Sequence, residues 1–411
     1  MPPRLIDLTR LTSRAGRGAL TGIDRVEAAW AGALSAQPDP LFALVATRLG
    51  FLLLDRQGIA ALLGRVQGSI PLGPPDLIGR LVRRGNPLRG RCEADLRRIA
   101  IGRAPGVLLG RLLRRLGPRF DYFNLGHANP GRRALDQIVR AGGRIRVMLH
   151  DTIPLDHPDL ARMGTTPAFA GLVEAVAARA DTVIYATESA RRAAEVHLAR
   201  AGRVPPAVVS ALGVTLVAPD ATALPAGLNL ARPFVLALGT IEPRKNLALL
   251  CDVWQGSSDL PDLFVVGHPG WADPQLFDRL RQTPGIHVLG ALPDGAVAAL
   301  MVRARALVFP SLAEGFGLPP LEAAARGLPV LCSDLPVLRE VLRDYPVYLK
   351  PSEVYQWTKA ISAAGRLEGK QSVGRTGLAI ADWATHVEGV LTALHHAGGA
   401  QIPVSPQGET R

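Results

Sequence analysis

Two stretches about seventy residues apart place groups suited to a diphosphate and a sugar at strand-to-helix junctions. In the first, Gly239–Asn246 (GTIEPRKN), Arg244 and Lys245 are adjacent cations between an apolar run and a helical pattern. Such a pair, facing a helix amino end, binds phosphate oxygens by charge and by directed N–H groups. The second is Phe309–Pro329 (FPSLAEGFGLPPLEAAARGLP). Here Glu314 stands on a glycine-containing loop, and Pro319 and Pro320 follow where a first helical turn tolerates proline. Gly327 and Pro329 then stop the helix. Glu322, eight residues after Glu314, falls about one turn into that helix. Two carboxylates so placed can accept hydrogen bonds from sugar hydroxyls. Taken singly, either stretch also reads as a solvated turn with surface ion pairs.

These junctions need parallel strands to hold them. In the second half, strand-like runs at Phe234–Leu238, Leu263–Val266, Ile286–Leu289, Ala306–Phe309 and Pro329–Cys332 alternate with helical patterns such as Leu247–Trp254 and Ala296–Val302. Strand–helix alternation at this spacing builds right-handed βαβ units around a parallel sheet. Ligands then bind at the carboxyl ends of the strands, where both stretches lie. The first half has strand candidates at Leu5–Leu8, Phe42–Ala46, Tyr122–Leu125, Ile145–Leu149 and Thr182–Tyr185. A helix should follow the loop SRAGRGALTG, with Val26, Trp30 and Leu34 four apart and Thr21 and Asp24 at capping-box positions. The expected fold is α/β, with two doubly wound domains facing a cleft. The first spans residues 1–216 on the acceptor side, a proline-interrupted linker covers 217–232, and the second spans 233–375. A C-terminal helix over 376–397 crosses back to the first domain, and 398–411 is a loose tail.

In order and context, GTIEPRKN and PSLAEGFGLPPLEAAARGLPV resemble the donor-binding domain of glycosyltransferase family four, the retaining GT-B enzymes also called glycosyl transferases group 1. The resemblance is strong from about Arg232 to Val341, with VVGHPGW and VLGALPD in register. It is looser in the first half, where TGIDRV, MLHDTIP and ATESARR fit. It implies that Glu314 and Glu322 are the acids of the family's E-x7-E pattern, the first toward the donor sugar and the second toward the ribose. Arg244 and Lys245 hold the diphosphate, the amides of Gly315, Phe316 and Gly317 touch sugar or phosphate, His150 lies near the reacting carbon, and Gly22 lets the first-domain loop approach the diphosphate. Catalytic roles fall to His150 and Glu314. Thr240 departs from the pattern, since many members carry an arginine there.

The implied activity is transfer of a hexose, such as mannose, from a nucleotide-sugar to a glycan or lipid-linked acceptor in capsule, exopolysaccharide or O-antigen assembly. GDP- and UDP-sugars are not distinguished, and no cofactor is expected beyond that substrate. A sugar-nucleotide epimerase or phosphorylase of related fold, or a non-catalytic basic interaction protein, is the alternative. No DxD pattern occurs, and the His150, Asp151, Asp156, His157, Asp159 group is interrupted by Pro154 and Pro158, so no metal is expected. Cations and helix amides must then neutralise the leaving diphosphate.

Composition narrows the setting. The 411 residues carry a net charge of +12, and Leu77–Arg119 alone contributes twelve arginines against Glu93 and Asp95. Val107, Leu108, Leu112, Leu113 and Leu116 recur there at helical spacing with arginines between them, which predicts an amphipathic helix suited to an anionic membrane surface. A solvated face in an arginine-biased chain is the other reading. Nucleic acid is not expected, because the segment has no aromatic residue to stack on a base. Three scattered cysteines and no apolar leader or long apolar span point to a cytoplasmic protein, peripheral to the inner membrane face if the basic segment binds lipid.

Overall fold

The computed structural model describes residues 2–366, 378 and 380–396. Positions on the central strands of both sheets are nearly all buried on both faces, as expected of parallel sheets flanked by helices. The first sheet contains β1 (Arg4–Asp7), β2 (Leu41–Thr47), β3 (Gly50–Leu54), β4 (Gly102–Ala104), β5 (Phe120–Asn124), β6 (Gly143–Met148), β7 (Thr182–Tyr185) and β8 (Ala207–Val209), in the order 4-3-2-1-5-6-7-8. Only β3 runs against the others, pairing antiparallel with β2 and with the edge strand β4. The second sheet is wholly parallel: β9 (Phe234–Leu238), β10 (Asp262–Val266), β11 (Ile286–Gly290), β12 (Leu307–Phe309), β13 (Val330–Ser333) and β14 (Val347–Leu349), in the order 11-10-9-12-13-14.

In each sheet the strand order reverses once, between β1 and β5 and between β9 and β12. Chains leaving the two sides of such a point diverge and open a crevice. The GTIEPRKN stretch leaves β9 and the Glu314 loop leaves β12, so adjacent strands deliver both to one place. The strands foreseen from apolar runs are present to within about two residues. Of those not foreseen, β4, β8 and β14 are three-residue edge strands, where the apolar signal is weakest, while β3 is the apolar run GFLLL, which was not read as a strand. Helix Gly22–Ser35 begins at the Thr21/Asp24 capping box and buries Val26, Trp30 and Leu34.

The basic segment departs from expectation. Instead of one amphipathic helix, the chain forms a 3-10 turn (Gly106–Leu108), five α-helical residues (Leu109–Leu113) and another 3-10 turn (Arg114–Leu116). Leu112, Leu113 and Leu116 are buried, but Val107 is 82% exposed. The Gly110 amide donates to Gln137 Oε1 at 3.0 Å, which fixes the short helix against the next one rather than letting it extend. Nor is the segment uniformly solvated. Glu93 is clasped by Arg83 at 2.6 Å and Arg89 at 2.9 Å, Arg97 reaches Asp76 at 2.6 Å, and Arg98 reaches Asp95 at 2.7 Å. Buried carboxylates thus hold part of the arginine excess, while Arg80, Arg84, Arg111, Arg114, Arg115 and Arg119 remain exposed.

Between the sheets, residues 217–232 are irregular apart from a 3-10 turn at Ala221–Ala223. The expected tail, Gly398–Arg411, lies outside the described residues, as do 367–375 of the second domain. Within the expected C-terminal helix, Trp383–His396 is helical, and it packs against the first domain. Gly213 permits this return, since a Cβ there would lie 2.5 Å from Asp382 and Trp383 backbone atoms. The Val214 amide donates to Ala381 O at 3.0 Å.

His386 anchors the returning helix. Its Nε2 accepts from Trp30 Nε1 at 3.2 Å, and its Nδ1 donates to Ala211 O at 2.8 Å. Both ring nitrogens are therefore committed to the neutral form, and burial pushes the imidazole down to about 4. A histidine held neutral in the fold loses its contribution as the unfolded chain takes up the proton, between about pH 6.5 and about 4 on falling pH. The unfolding free energy should drop over this window by on the order of 3 kcal/mol more in the wild type than in His386→Gln. Denaturant titrations at several pH values measure that difference.

Candidate active site

A cleft of about 1350 Å³ separates the two sheets, lined from the first domain by the loops after β1 and β6 and from the second by those after β9 and β12. At its floor lie four charges in a row. Lys245 Nζ donates to Glu314 Oε1 at 2.5 Å, and Arg244 Nη1 sits 2.8 Å from Glu314 Oε2, so both cations share one carboxylate. On its other side, the Arg244 Nε binds Glu242, a residue buried at 3% exposure. Lys245 also lies over the Phe309 ring, 4.4 Å from its centroid.

The local backbone brings these groups together. Pro243–Lys245 forms a 3-10 turn after β9, and Asn246 exits it with φ of 53°. The Leu312 amide donates to Arg244 O at 2.8 Å, tying the turn to the loop that carries Glu314. Gly239 is required beneath them: its φ is +139°, and a Cβ there would stand 3.0 Å from Lys245 Cε.

Electrostatically the cluster is coupled. Burial opposes ionisation of Glu314, yet Arg244 and Lys245 hold its carboxyl down to about 2. Burial would lower Arg244, but Glu314, Glu242 and Asp151 hold it above the ordinary guanidinium value. Burial and the neighbouring Arg244 lower the Lys245 ammonium, with Glu314 opposing. The two cations are therefore stabilised by carboxylates of the cleft itself, and an entering dianion would compete for them.

Among the other foreseen residues, Gly315 marks a close approach of the domains, since a Cβ there would lie 2.6 Å from His150 O. Gly317, with φ of +95°, turns the chain into helix Leu318–Ala325. The Phe316 side chain is buried in the core, leaving its backbone to face a ligand. Glu322, on that helix, is held by Arg25 of the first domain at 2.6 Å. Gly22 is the first residue of its helix and faces the cleft with open space where a side chain would project.

His150 is buried just beyond β6, and its Nε2 donates to Leu125 O at 2.7 Å, which leaves Nδ1 as an acceptor. Burial lowers its imidazole to about 4, so it stays neutral. Its neighbours from the suspected metal group do not converge: Asp156 accepts from Thr152 and His197, both at 2.6 Å. Among the described residues no three histidines, cysteines or acids come together as a metal-holding group.

Three contributors to the cleft, His127, Arg25 and Glu242, went unread in the sequence, and Asp151 was named only within the metal-like group. His127 (φ 55°) accepts the His150 amide on its Nε2 at 3.0 Å, with the rings 4.9 Å apart. Asp151 joins the Arg244 field across the cleft. Arg25 and Glu242 both stood inside quoted motifs, TGIDRV and GTIEPRKN, but nothing in their spacing revealed that Arg25 pairs with Glu322 or that Glu242 pairs with Arg244.

Comparison with known proteins agrees with this geometry. Over 245 residues the chain is 32% identical to the serotype-specific mannosyltransferase WbdA of Escherichia coli, covering 54% of this chain and 30% of the relative. It is 35% identical over 161 residues to the E. coli O-antigen chain mannosyltransferase B, covering 34% of this chain and 42% of that protein. The chain thus spans less than half the length of these curated relatives. Among solved structures, Anabaena HepE (Alr3699) with UDP and glucose superposes with a TM-score of 0.63 at 15% identity, over 96% of this chain and all of that one. The sucrose-phosphate synthase of Thermosynechococcus elongatus does so with a TM-score of 0.60 at 17% identity, over 97% and 100%. These likenesses establish the GT-B fold. Residues 225–371, which carry the Arg244–Lys245 turn and both acids, match the family described as Glycosyl transferases group 1.

Proposed function

We propose that the protein is a retaining glycosyltransferase that moves a hexose, with mannose the first candidate, from a nucleotide-sugar to a glycan or lipid-linked acceptor in cell-surface polysaccharide assembly. The single observation that carries this reading is the cation pair Arg244–Lys245 converging on Glu314 at the carboxyl ends of adjacent strands. The mannosyltransferase names of the relatives support the choice of sugar.

In this reading the donor's diphosphate takes the two cations and the amides at the start of helix Leu318–Ala325. Glu314, still ionised, turns toward the sugar hydroxyls, and Glu322 exchanges Arg25 for the ribose. The bond between the anomeric carbon and the diphosphate oxygen breaks with its electron pair going to the diphosphate. Arg244 and Lys245 stabilise that growing charge in a site shielded from water. The acceptor hydroxyl attacks the same face, and its proton passes to the departing diphosphate oxygen. Neutral His150 offers a hydrogen-bond acceptor near the oxocarbenium-like sugar, with no charge to repel it. No cofactor or metal takes part in this scheme.

We place the protein in the cytoplasm, resting on the inner membrane face through the basic segment. What supports this is the exposed set Leu77, Leu81, Val107 and Leu108 beside the solvent-facing arginines of the same segment. No helix among the described residues is long and apolar enough to cross a membrane.

Thermal-shift measurements with GDP-, UDP- and dTDP-sugars should select one nucleotide. With that donor, Lys245→Ala and Glu314→Ala should each lower turnover about a hundredfold or more; near-wild-type rates in both would sink the assignment. Separately, changing Arg111, Arg114 and Arg115 to glutamine should reduce co-sedimentation with anionic liposomes, and unchanged binding would remove the membrane role from this segment.

A further inference from the structure

The wall that the first domain presents to the cleft carries more positive charge than its own acids balance. Arg10, Arg14, Arg17 and Arg162 line it. Arg10 and Arg14 follow β1 and share one carboxylate: Asp24 Oδ1 accepts from Arg10 Nε at 2.7 Å, and Arg14 Nε lies 2.9 Å from Oδ2. Asp24 is fully buried and is also held by the Thr21 hydroxyl, so it cannot turn away to meet a ligand. Both arginines approach it through Nε, and both line the cleft. Arg17 bonds only the neutral Asn86 Oδ1, at 2.8 Å, and Arg162 is exposed with no ion pair among the described residues.

This wall is braced. Arg17 sits between Gly16 and Gly18, whose φ values of +74° and +78° turn the loop tightly. A Cβ on Gly16 would meet Leu72 Cδ1 at 3.0 Å, so the loop packs directly on the segment that leads into the basic region. The donor side needs none of this charge, because Arg244 and Lys245 supply it there and Arg25 is matched by Glu322. Glu27 lies buried near Arg10, but burial pushes its carboxyl well above the usual carboxylate range, toward the neutral form. Beyond Asp24 the four arginines therefore keep three charges in excess, and their guanidinium N–H groups suit phosphate oxygens geometrically. A single carboxylate would neutralise one of them; a phosphate dianion neutralises two.

We propose that this arginine wall is the acceptor subsite and that it takes a phosphate ester, so that the sugar or lipid receiving the transferred hexose carries a phosphate beside the attacked hydroxyl. The proposal rests on the sugar-transfer reading and deepens it by naming the acceptor's chemistry.

Calorimetry on the full chain tests it. UDP and GDP are titrated first as probes of the donor side. Octyl phosphate and glucose 6-phosphate follow as phosphate esters, with octyl glucoside and glucuronate as the neutral and carboxylate controls. At least one phosphate ester should bind ten times more tightly than either control. That binding should weaken tenfold or more in Arg10→Gln/Arg17→Gln, and about threefold in Arg17→Gln alone, an exposed change that does not threaten the fold. Nucleotide affinity should be unchanged in both variants. A preference for octyl phosphate assigns a lipid-borne phosphate, and a preference for glucose 6-phosphate a soluble one. Equal binding of esters and controls, or of wild type and variants, overturns the proposal. So does a parallel loss of nucleotide and ester binding, which would give these arginines to the donor. Absence of nucleotide binding in the wild type, with ester binding intact, would count against the sugar-transfer reading and not against the subsite.

Discussion

Charge buried without water must be balanced locally, and the cleft is arranged around that constraint. Taking a guanidinium or an ammonium out of water costs several kcal/mol unless an opposite charge and hydrogen bonds replace the solvent. Arg244 and Lys245 satisfy this with Glu314 and Glu242, giving two cations and two anions across the ends of β9 and β12. Close spacing follows from it: Gly239 can have no side chain, the 3-10 turn must present both cations to one carboxylate, and the Leu312–Arg244 backbone bond must hold the two loops in step. A site built this way balances its own charge, and its cations can still exchange a carboxylate for another anion.

The same logic extends across the cleft. Glu322 finds its cation, Arg25, on the opposite domain, and Glu340 accepts the Glu188 and Ser189 amides at 2.6 and 2.9 Å to cap helix Glu188–Arg200 from the other side. With Gly315 packed against His150 O and Trp271 donating to Leu160 O at 3.3 Å, these contacts join the two domains across the cleft. A ligand that claims Glu322 removes one of those links.

The basic segment illustrates why net charge is a poor guide to a surface. Its arginines divide between those that neutralise Glu93, Asp95 and Asp76 and those that face solvent. The first group stabilises a packed unit beneath the first-domain loop, and only the second is available to an anionic partner. Sequence counting cannot separate them, because the partner carboxylates lie ten or more residues away in several cases, as with Arg83 and Glu93 or Arg97 and Asp76.

Local rules made much of the molecule readable. Apolar runs located the principal strands, the Thr21/Asp24 pair located the start of a helix, and the prolines after Gly317 located the helix that carries Glu322. Arg244, Lys245 and Glu314 were readable for the same reason: each stands at a strand end, where the chain leaves the sheet and its side chains must face the cleft. What depended on tertiary structure is every pairing between distant segments. His127 beneath His150, Arg25 on Glu322, Asp24 between two arginines, and His386 returning to Trp30 join residues whose separation along the chain carries no periodic signal. Strands and caps arise from neighbours a few residues apart and leave a pattern in the sequence. The balance of buried charge is settled only when two domains and a returning helix bring those groups within hydrogen-bonding distance.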